Sequence, residues 1–183
     1  MTEDTAKWLE ALRRKDESTV GELVRTYGEP LKRYLSAMVR NHSDGEELAQ
    51  ETLIRFLDGL RSFRGEASIK TYLFKIAHNL ALNHLASSAR VHEVFPGDLP
   101  EAQPTDADHA QDLVQAGERA RMLRMALMQL PPQQRSVVAL RTWQDLSFKE
   151  IAGVLSLAEG TVKAHYFFGL RNLRKTLEAP HDS

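Results

Sequence analysis

Cysteine is absent from all 183 residues, which excludes a disulfide framework and thiolate metal ligation and fits a reducing compartment. No stretch approaches the roughly 20 apolar residues that a membrane-spanning helix needs. Met1–Glu10 carries Glu3 and Asp4 where a signal peptide would place basic residues before an apolar run. The expectation is a soluble, cytoplasmic chain with no direct membrane insertion. Glycine-rich phosphate loops and nucleophile elbows are also missing, and His42, His78, His84, His92, His109, His165 and His181 show no metalloprotease spacing. That argues against an enzyme and requires neither cofactor nor metal.

Strong net charge is lacking too, at −1 for the whole chain, a poor signature for nucleic-acid binding until its distribution is read. Val91–Glu118 holds no Lys or Arg and seven acids: Glu93, Asp98, Glu101, Asp106, Asp108, Asp112 and Glu118. All 24 basic residues, but only 18 of the 25 acids, therefore lie outside it. Charge is segregated, and the average hides a basic excess outside the acidic stretch.

Spacings of three and four dominate the first block, as buried helix faces require. Val20, Leu23, Val24, Tyr27, Leu31, Tyr34, Leu35 and Met38 form one stripe, which Pro30 should kink or split near Gly28. Leu48, Thr52, Leu53, Phe56, Leu57 and Leu60 form a second, with Asp44 and Glu47 in capping-box spacing at its start. Ile69, Tyr72, Leu73, Ile76, Ala77, Leu80 and Leu85 form a third. Between about Ser87 and Gly117, Pro96, Gly97, Pro100 and Pro104 break the pattern in a polar, acidic stretch that reads as a linker. The expected organisation is all-α: a helical domain over 1–88, a linker over 89–117 and a second helical domain over 118–183.

The second block opens with the stripe Met122, Leu123, Ala126, Leu127 and Leu130, which stops at Pro131-Pro132. The second proline suits the first turn of the next helix, through Val137, Val138, Leu140 and Arg141 toward Trp143. Ser147-Phe148-Lys149-Glu150 then has capping-box form, and a further helix begins near Glu159. A short helix, tight turn and longer helix make a helix-turn-helix. On the last helix Val162, Tyr166, Leu170, Leu173 and Leu177 should pack inward, leaving Thr161, Lys163, His165, Phe168 and Arg171 outward. With Arg174 and Lys175, these supply cations, hydrogen-bonding groups and an aromatic surface suited to a DNA groove.

Leu130–Arg135, Leu146–Ala152 and Glu159–Lys163 resemble region 4 of the extracytoplasmic-function (ECF) sigma factors, small two-domain members of the sigma-70 family. Independently, Asp44–Thr52 resembles region 2.2, and Phe63–Ser68 with Ile76–Leu85 resembles regions 2.3 and 2.4. The resemblance covers about 150 residues and implies that the chain binds RNA polymerase core, recognises a promoter and promotes its melting, commonly under an anti-sigma factor. It implies that Asp44, Glu46, Glu47, Gln50 and Glu51 dock on core polymerase. It assigns Arg64, Ser68, Lys70, Thr71, Lys75, Asn79 and Asn83 to the minus-ten element. Thr161, Lys163, His165, Phe168, Arg171, Arg174 and Lys175 fall to the minus-thirty-five element. Phe63 and Tyr72 could serve as core or as stacking surface, and helical spacing favours core. The linker could mimic nucleic-acid charge or act as plain spacer.

The sequence departs from the family where Tyr72 replaces a frequent tryptophan and where His165, Phe168 and Leu170 replace frequent arginines. Gly160–His165 is also similar to the LuxR-type helix-turn-helix, an alternative that requires a receiver or ligand-binding domain upstream. A third reading is a helical protein-binding adaptor.

Overall fold

A computed structural model describes residues 3–65, 67–94 and 116–178. Among them every regular element is a helix: α1 (Glu3–Arg13), α2 (Glu17–Val39), α3 (His42–Gly59), α4 (Ile69–Val94), α5 (Ala116–Gln129), α6 (Pro132–Trp143), α7 (Phe148–Leu155) and α8 (Glu159–Glu178). The all-α class expected from the stripes is the one observed. Most of the expected acidic linker, with His92, His109 and the prolines, lies outside the described residues or their side chains. Its described flanks are helical, since α4 continues to Val94 and α5 begins at Ala116.

The expected break at Pro30 does not occur, because α2 runs unbroken through it. Proline deprives the Thr26 carbonyl of its helical donor, and Thr26 lies on the exposed side of α2, where solvent can satisfy it. The start of α3 also differs. Asn41, in extended backbone, accepts the Asp44 amide at 3.2 Å and begins the helix at His42, so Asp44 sits inside the first turn instead of capping it. Helix α1 was not anticipated. Its Leu9 and Leu12 are each 1 % exposed, and burying such a side chain contributes about 1.5–3 kcal/mol.

The buried faces of α1–α4 meet in a core around Leu23, Leu31, Tyr34, Phe56, Leu73 and Phe74. The same core continues without a gap into Val137, Leu140, Ile151, Val154 and Val162 of α6–α8. Helices α2 and α4 of the first set pack directly on α5, α6 and α7 of the second. A smaller cluster, Ala126, Leu127, Leu130, Val138 and Leu173, ties α5 and α6 to α8.

Candidate nucleic-acid interface

Helix α4 divides into two faces. Leu73, Phe74, Ala77, Leu80 and Ala81 are buried, and His78 is held among them by a 3.0 Å hydrogen bond between its Nδ1 and the Tyr34 hydroxyl. Burial depresses the His78 pKa to about 4, keeping the imidazole neutral. The other face shows Lys75, Asn79 and Asn83 to solvent at spacings of four, beside an exposed Leu82. The two amides project from one ridge, where their donors and acceptors have no need to serve the core.

The loop before α4 shapes a cleft at the start of this ridge. Gly65 turns the chain with φ 75°, a conformation natural to glycine, and Arg13 of α1 braces the loop by donating to the carbonyls of Leu60 (3.3 Å) and Phe63 (3.2 Å). Ser68 caps α4, its Oγ accepting the Thr71 amide at 3.0 Å. Phe63 and Tyr72 stack on one another at 5.0 Å, half-buried, with Phe56 beneath Tyr72. Both rings line an open cleft of about 550 Å³ with Ser62, Arg64, Ala67, Thr71 and Lys75. They are thus at once the edge of the core and the wall of the cleft.

Arg64, Ser68, Lys75, Asn79 and Asn83 are exposed around this site. Lys70 and Thr71 are not free in this arrangement. The Lys70 ammonium donates to the Gln144 carbonyl, and the Thr71 hydroxyl, 6 % exposed as a residue, donates to Glu150 at 3.3 Å. Gly153 of α7 completes the rim of the cleft.

On α3, Glu47 and Gln50 face solvent. Asp44 turns instead toward His84 of α4 at 3.1 Å, Glu46 meets Lys32 at 2.6 Å and Glu51 meets Arg55 at 2.6 Å. The hydrogen bond from Lys32, then its charge, holds the Glu46 carboxyl below its usual pKa. The acidic face is present, but Glu46 and Glu51 already have cations beside them and Asp44 is engaged by the His84 ring.

The second surface follows from α7 and α8. Both halves of the capping box form: the Ser147 Oγ accepts the Glu150 amide at 3.2 Å, and Glu150 accepts the Ser147 amide at 2.9 Å. These bonds to the carboxylate lower the Glu150 pKa. Helix α7 ends at Ser156 with φ 55°, and the turn delivers α8 with Val162, Gly169 and Leu173 inward. Thr161, Phe168, Arg171 and Lys175 recur along one exposed stripe, while Lys163 and Arg174 flank it. Lys163 pairs with Glu159 at 2.7 Å, Arg174 pairs with Glu178 at 2.7 Å, and the Arg171 guanidinium lies 5.8 Å from the Phe168 ring centre. His165 is half-buried at the edge.

Two inward assignments on α8 need correction: Leu170 and Leu177 are 41 % and 44 % exposed. The buried seam is narrower than expected because Gly169, not Leu170, faces α6, and a Cβ there would lie 2.7 Å from Val138 Cγ2. A glycine inside a helix, costing about 1 kcal/mol against alanine, was the available signal for close packing. Sequence reasoning also passed over Phe167, which is 64 % exposed and 5.6 Å from Phe168. Together the rings form an aromatic patch beside the cations.

Residues 23–91 match the family model for Sigma-70 region 2, and residues 120–173 match that for Sigma-70 region 4. The chain is similar to the ECF RNA polymerase sigma factor SigX of Bacillus subtilis, at 33 % identity over 88 % of this chain and 85 % of that protein. It is 29 % identical to the RNA polymerase sigma-H factor of Pseudomonas aeruginosa over 96 % and 95 % of the two chains. Among solved structures, the sigma factor RpoE of Bartonella quintana, in complex with the anti-sigma factor NepR, superposes with a TM-score of 0.73. That match has 20 % identity and covers 88 % of this chain and 98 % of that one. CnrH, in complex with the cytosolic domain of CnrY, gives 0.68 at 20 % identity, over 96 % and 97 %. These two likenesses concern the fold.

Proposed function

The chain belongs to the ECF group of the sigma-70 family, and on that premise we propose how its two surfaces divide the work of transcription initiation. It is an initiation factor and not an enzyme: it binds RNA polymerase core, recognises promoter DNA and promotes melting. Helices α1–α4 supply region 2, which docks on core through the α3 face and takes the minus-ten element on the α4 ridge. Helices α5–α8 supply region 4, which offers the exposed stripe of α8 to the minus-thirty-five element.

The observation that carries this assignment is the Lys75, Asn79 and Asn83 ridge running from the aromatic-walled cleft. Unstacking a base costs a few kcal/mol. Capture on aromatic faces, with amides meeting the exposed base edges, offsets that cost without nucleotide hydrolysis. Weak contacts at the two promoter elements reinforce one another because both modules belong to one tethered chain. Arg64, Ser68, Lys70 and Thr71 serve the strand backbone, and Thr161, Lys163, His165, Phe168, Arg171, Arg174 and Lys175 serve the duplex upstream. The cytoplasm as its place of work is part of this proposal; separately, no described helix is long and apolar enough to cross a membrane. An anti-sigma factor is its proposed regulator, a reading supported by the complexes in which RpoE and CnrH were solved. The LuxR-type alternative loses its footing because region 2 stands where a receiver or ligand-binding domain would have to be.

The test is run-off transcription with purified core enzyme and a promoter library. Asn79→Ala with Asn83→Ala should impair open-complex formation, scored by permanganate reactivity, while core association on a sizing column stays near wild type. Equal loss of both, or core binding without start-site selection, would remove the assignment.

A further inference from the structure

Helix α1 lies ahead of residues 23–91, the stretch that matches Sigma-70 region 2, yet its last residue reaches the loop that walls the minus-ten cleft. Leu9 and Leu12 seat α1 in the core, and the Trp8 indole donates to the Glu22 carboxylate of α2 at 2.9 Å. Beyond Arg13 the chain turns at once, with Lys15 at φ 57° and Asp16 capping α2. Arg13 is therefore fixed from both sides, and its side chain, 36 % exposed, crosses to the end of α3.

There it meets the corner where α3 gives way to the loop. Leu60 caps α3 and is buried. The chain coils on from it, the Ser62 amide donating to the Gly59 carbonyl at 3.1 Å and the Phe63 amide to the Leu60 carbonyl at 3.3 Å. Arg13 adds two bonds from outside, Nε to the Leu60 carbonyl at 3.3 Å and Nη2 to the Phe63 carbonyl at 3.2 Å. Two acceptors three residues apart, beside the negative end of a helix dipole, suit a planar guanidinium whose N–H groups point in fixed directions. A lysine ammonium is a single point of charge and has no such fork. The Glu10 carboxylate stands 3.7 Å from the guanidinium one turn back, so the charge is balanced on its own helix.

What these bonds hold is the wall of the cleft. Phe63 contributes both the carbonyl that Arg13 grips and the ring that stacks on Tyr72 at 5.0 Å, and Arg64 follows it on the rim. The far end of the loop is tied separately, where Gly65 turns it at φ 75° and Ser68 accepts the Thr71 amide at 3.0 Å. On the near side the ties are the turns after α3, the Arg13 fork and the Phe63–Tyr72 stack. An aromatic pair adds little beyond its buried area, so releasing the fork lets the wall drift from the position that frames the cleft.

We propose that Arg13 is a positioning residue for capture of the minus-ten strand: without touching a nucleotide, it holds the Phe63–Arg64 corner where an unstacked base enters the cleft. The proposal rests on the functional reading above, and it gives α1 a part in promoter melting although α1 lies outside the matched stretch. A corner held before DNA arrives removes an ordering cost from the capture step, the step on which melting without nucleotide hydrolysis depends.

The test uses the full chain bound to core and a promoter recovered from the run-off library, cut as two fragments. One exposes the minus-ten non-template strand beyond a duplex, and the other ends in duplex upstream of it. Arg13→Ala should weaken binding of the first by about tenfold, if the corner then keeps its framing position roughly one-tenth of the time, and leave the second unchanged. Arg13→Lys should recover part of the loss, since one carbonyl can still be held. The slope of log affinity against log salt should stay the same, because a brace neutralises no phosphate. A nitroxide on Ala67→Cys in the same holoenzyme, unique because the chain lacks cysteine, should show sharper lines in Arg13→Ala. One on Asp58→Cys, exposed on α3, should not. Should Arg13→Ala fail to fold by circular dichroism, Arg13→Lys decides on the same readouts with smaller shifts. Equal loss on both fragments, a salt slope lowered by about one, or an unchanged line shape for the Ala67→Cys label would overturn the proposal. A wild-type chain that binds core but selects no promoter would remove the functional reading and the capture role with it, while the line shapes still report whether Arg13 braces the loop.

Discussion

Two glycine-to-alanine substitutions should change stability in opposite directions, and the contrast measures how closely α8 is held to α6. Gly153 lies mid-helix in α7, exposed, with nothing within 4 Å of where a Cβ would stand. Gly153→Ala should therefore stabilise by about 1 kcal/mol, the helix-propensity difference alone. Gly169→Ala gains the same propensity, but its Cβ would sit 2.7 Å from Val138 Cγ2 and 3.5 Å from both Cβ and the carbonyl oxygen of Gln134. Val138 is 2 % exposed in a closed cluster, so its methyl cannot swing away, and overpacking of this kind costs about 1–3 kcal/mol. The propensity gain cancels when the two variants are compared, leaving Gly169→Ala about 1–3 kcal/mol below Gly153→Ala. Urea unfolding followed at 222 nm reads the difference from the midpoints, provided the slopes agree. Adding Val138→Ala to Gly169→Ala should recover part of the loss, with a favourable coupling of about 1–2 kcal/mol in the double-mutant cycle. If Gly169→Ala raises the midpoint as far as Gly153→Ala, the α6–α8 seam is not closed at this residue and the account of why Leu170 faces outward fails with it.

Acid should weaken the fold through His78, whose folded pKa of about 4 lies below the ordinary 6.5. The unfolded chain binds the extra proton first, so the contribution is complete above pH 6.5 and drains as pH falls, by on the order of 3 kcal/mol by pH 4. His78→Gln, which keeps a hydrogen-bonding group for Tyr34, should flatten that slope, and an unchanged slope would assign it to other groups. Tyr34→Phe leaves the buried His78 Nδ1 without its 3.0 Å partner and should lower stability by about 1–3 kcal/mol. Ser147→Ala removes the side-chain half of the α7 capping box and should cost about 0.5–2 kcal/mol in urea unfolding.

What the sequence disclosed was whatever is settled within a few turns of chain. The Pro132 start of α6, the Ser147–Glu150 box and the turn into α8 depend on local spacing and capping, and each stands where spacing put it; the helix stripes do so too, except at Val24, Met122, Leu123, Leu170 and Leu177, which are exposed. The failures came where a distant partner decides. Leu170 satisfies the helical period for burial, yet α6 approaches at Gly169 and leaves it outside. Pro30 should break a helix considered alone, but α2 is held along both halves by Leu23 and by Leu31, Tyr34, Leu35 and Met38 in one core. Asp44 has the spacing of a cap, and only the adjacent α4 explains why its carboxylate faces His84.

The same distinction separates what a residue can do from whether it is free to do it. Lys70 and Thr71 have the chemistry for a DNA strand wherever α4 begins, and a motif reports that chemistry. Their engagement by Gln144 and Glu150 crosses more than seventy positions of sequence and involves a backbone carbonyl that no side-chain pattern encodes. Arg135 is the extreme case. In sequence it reads as one more basic residue after Pro131-Pro132-Gln133-Gln134, and nothing nearby shows that its acceptors are carbonyls of Ala37 and Met38.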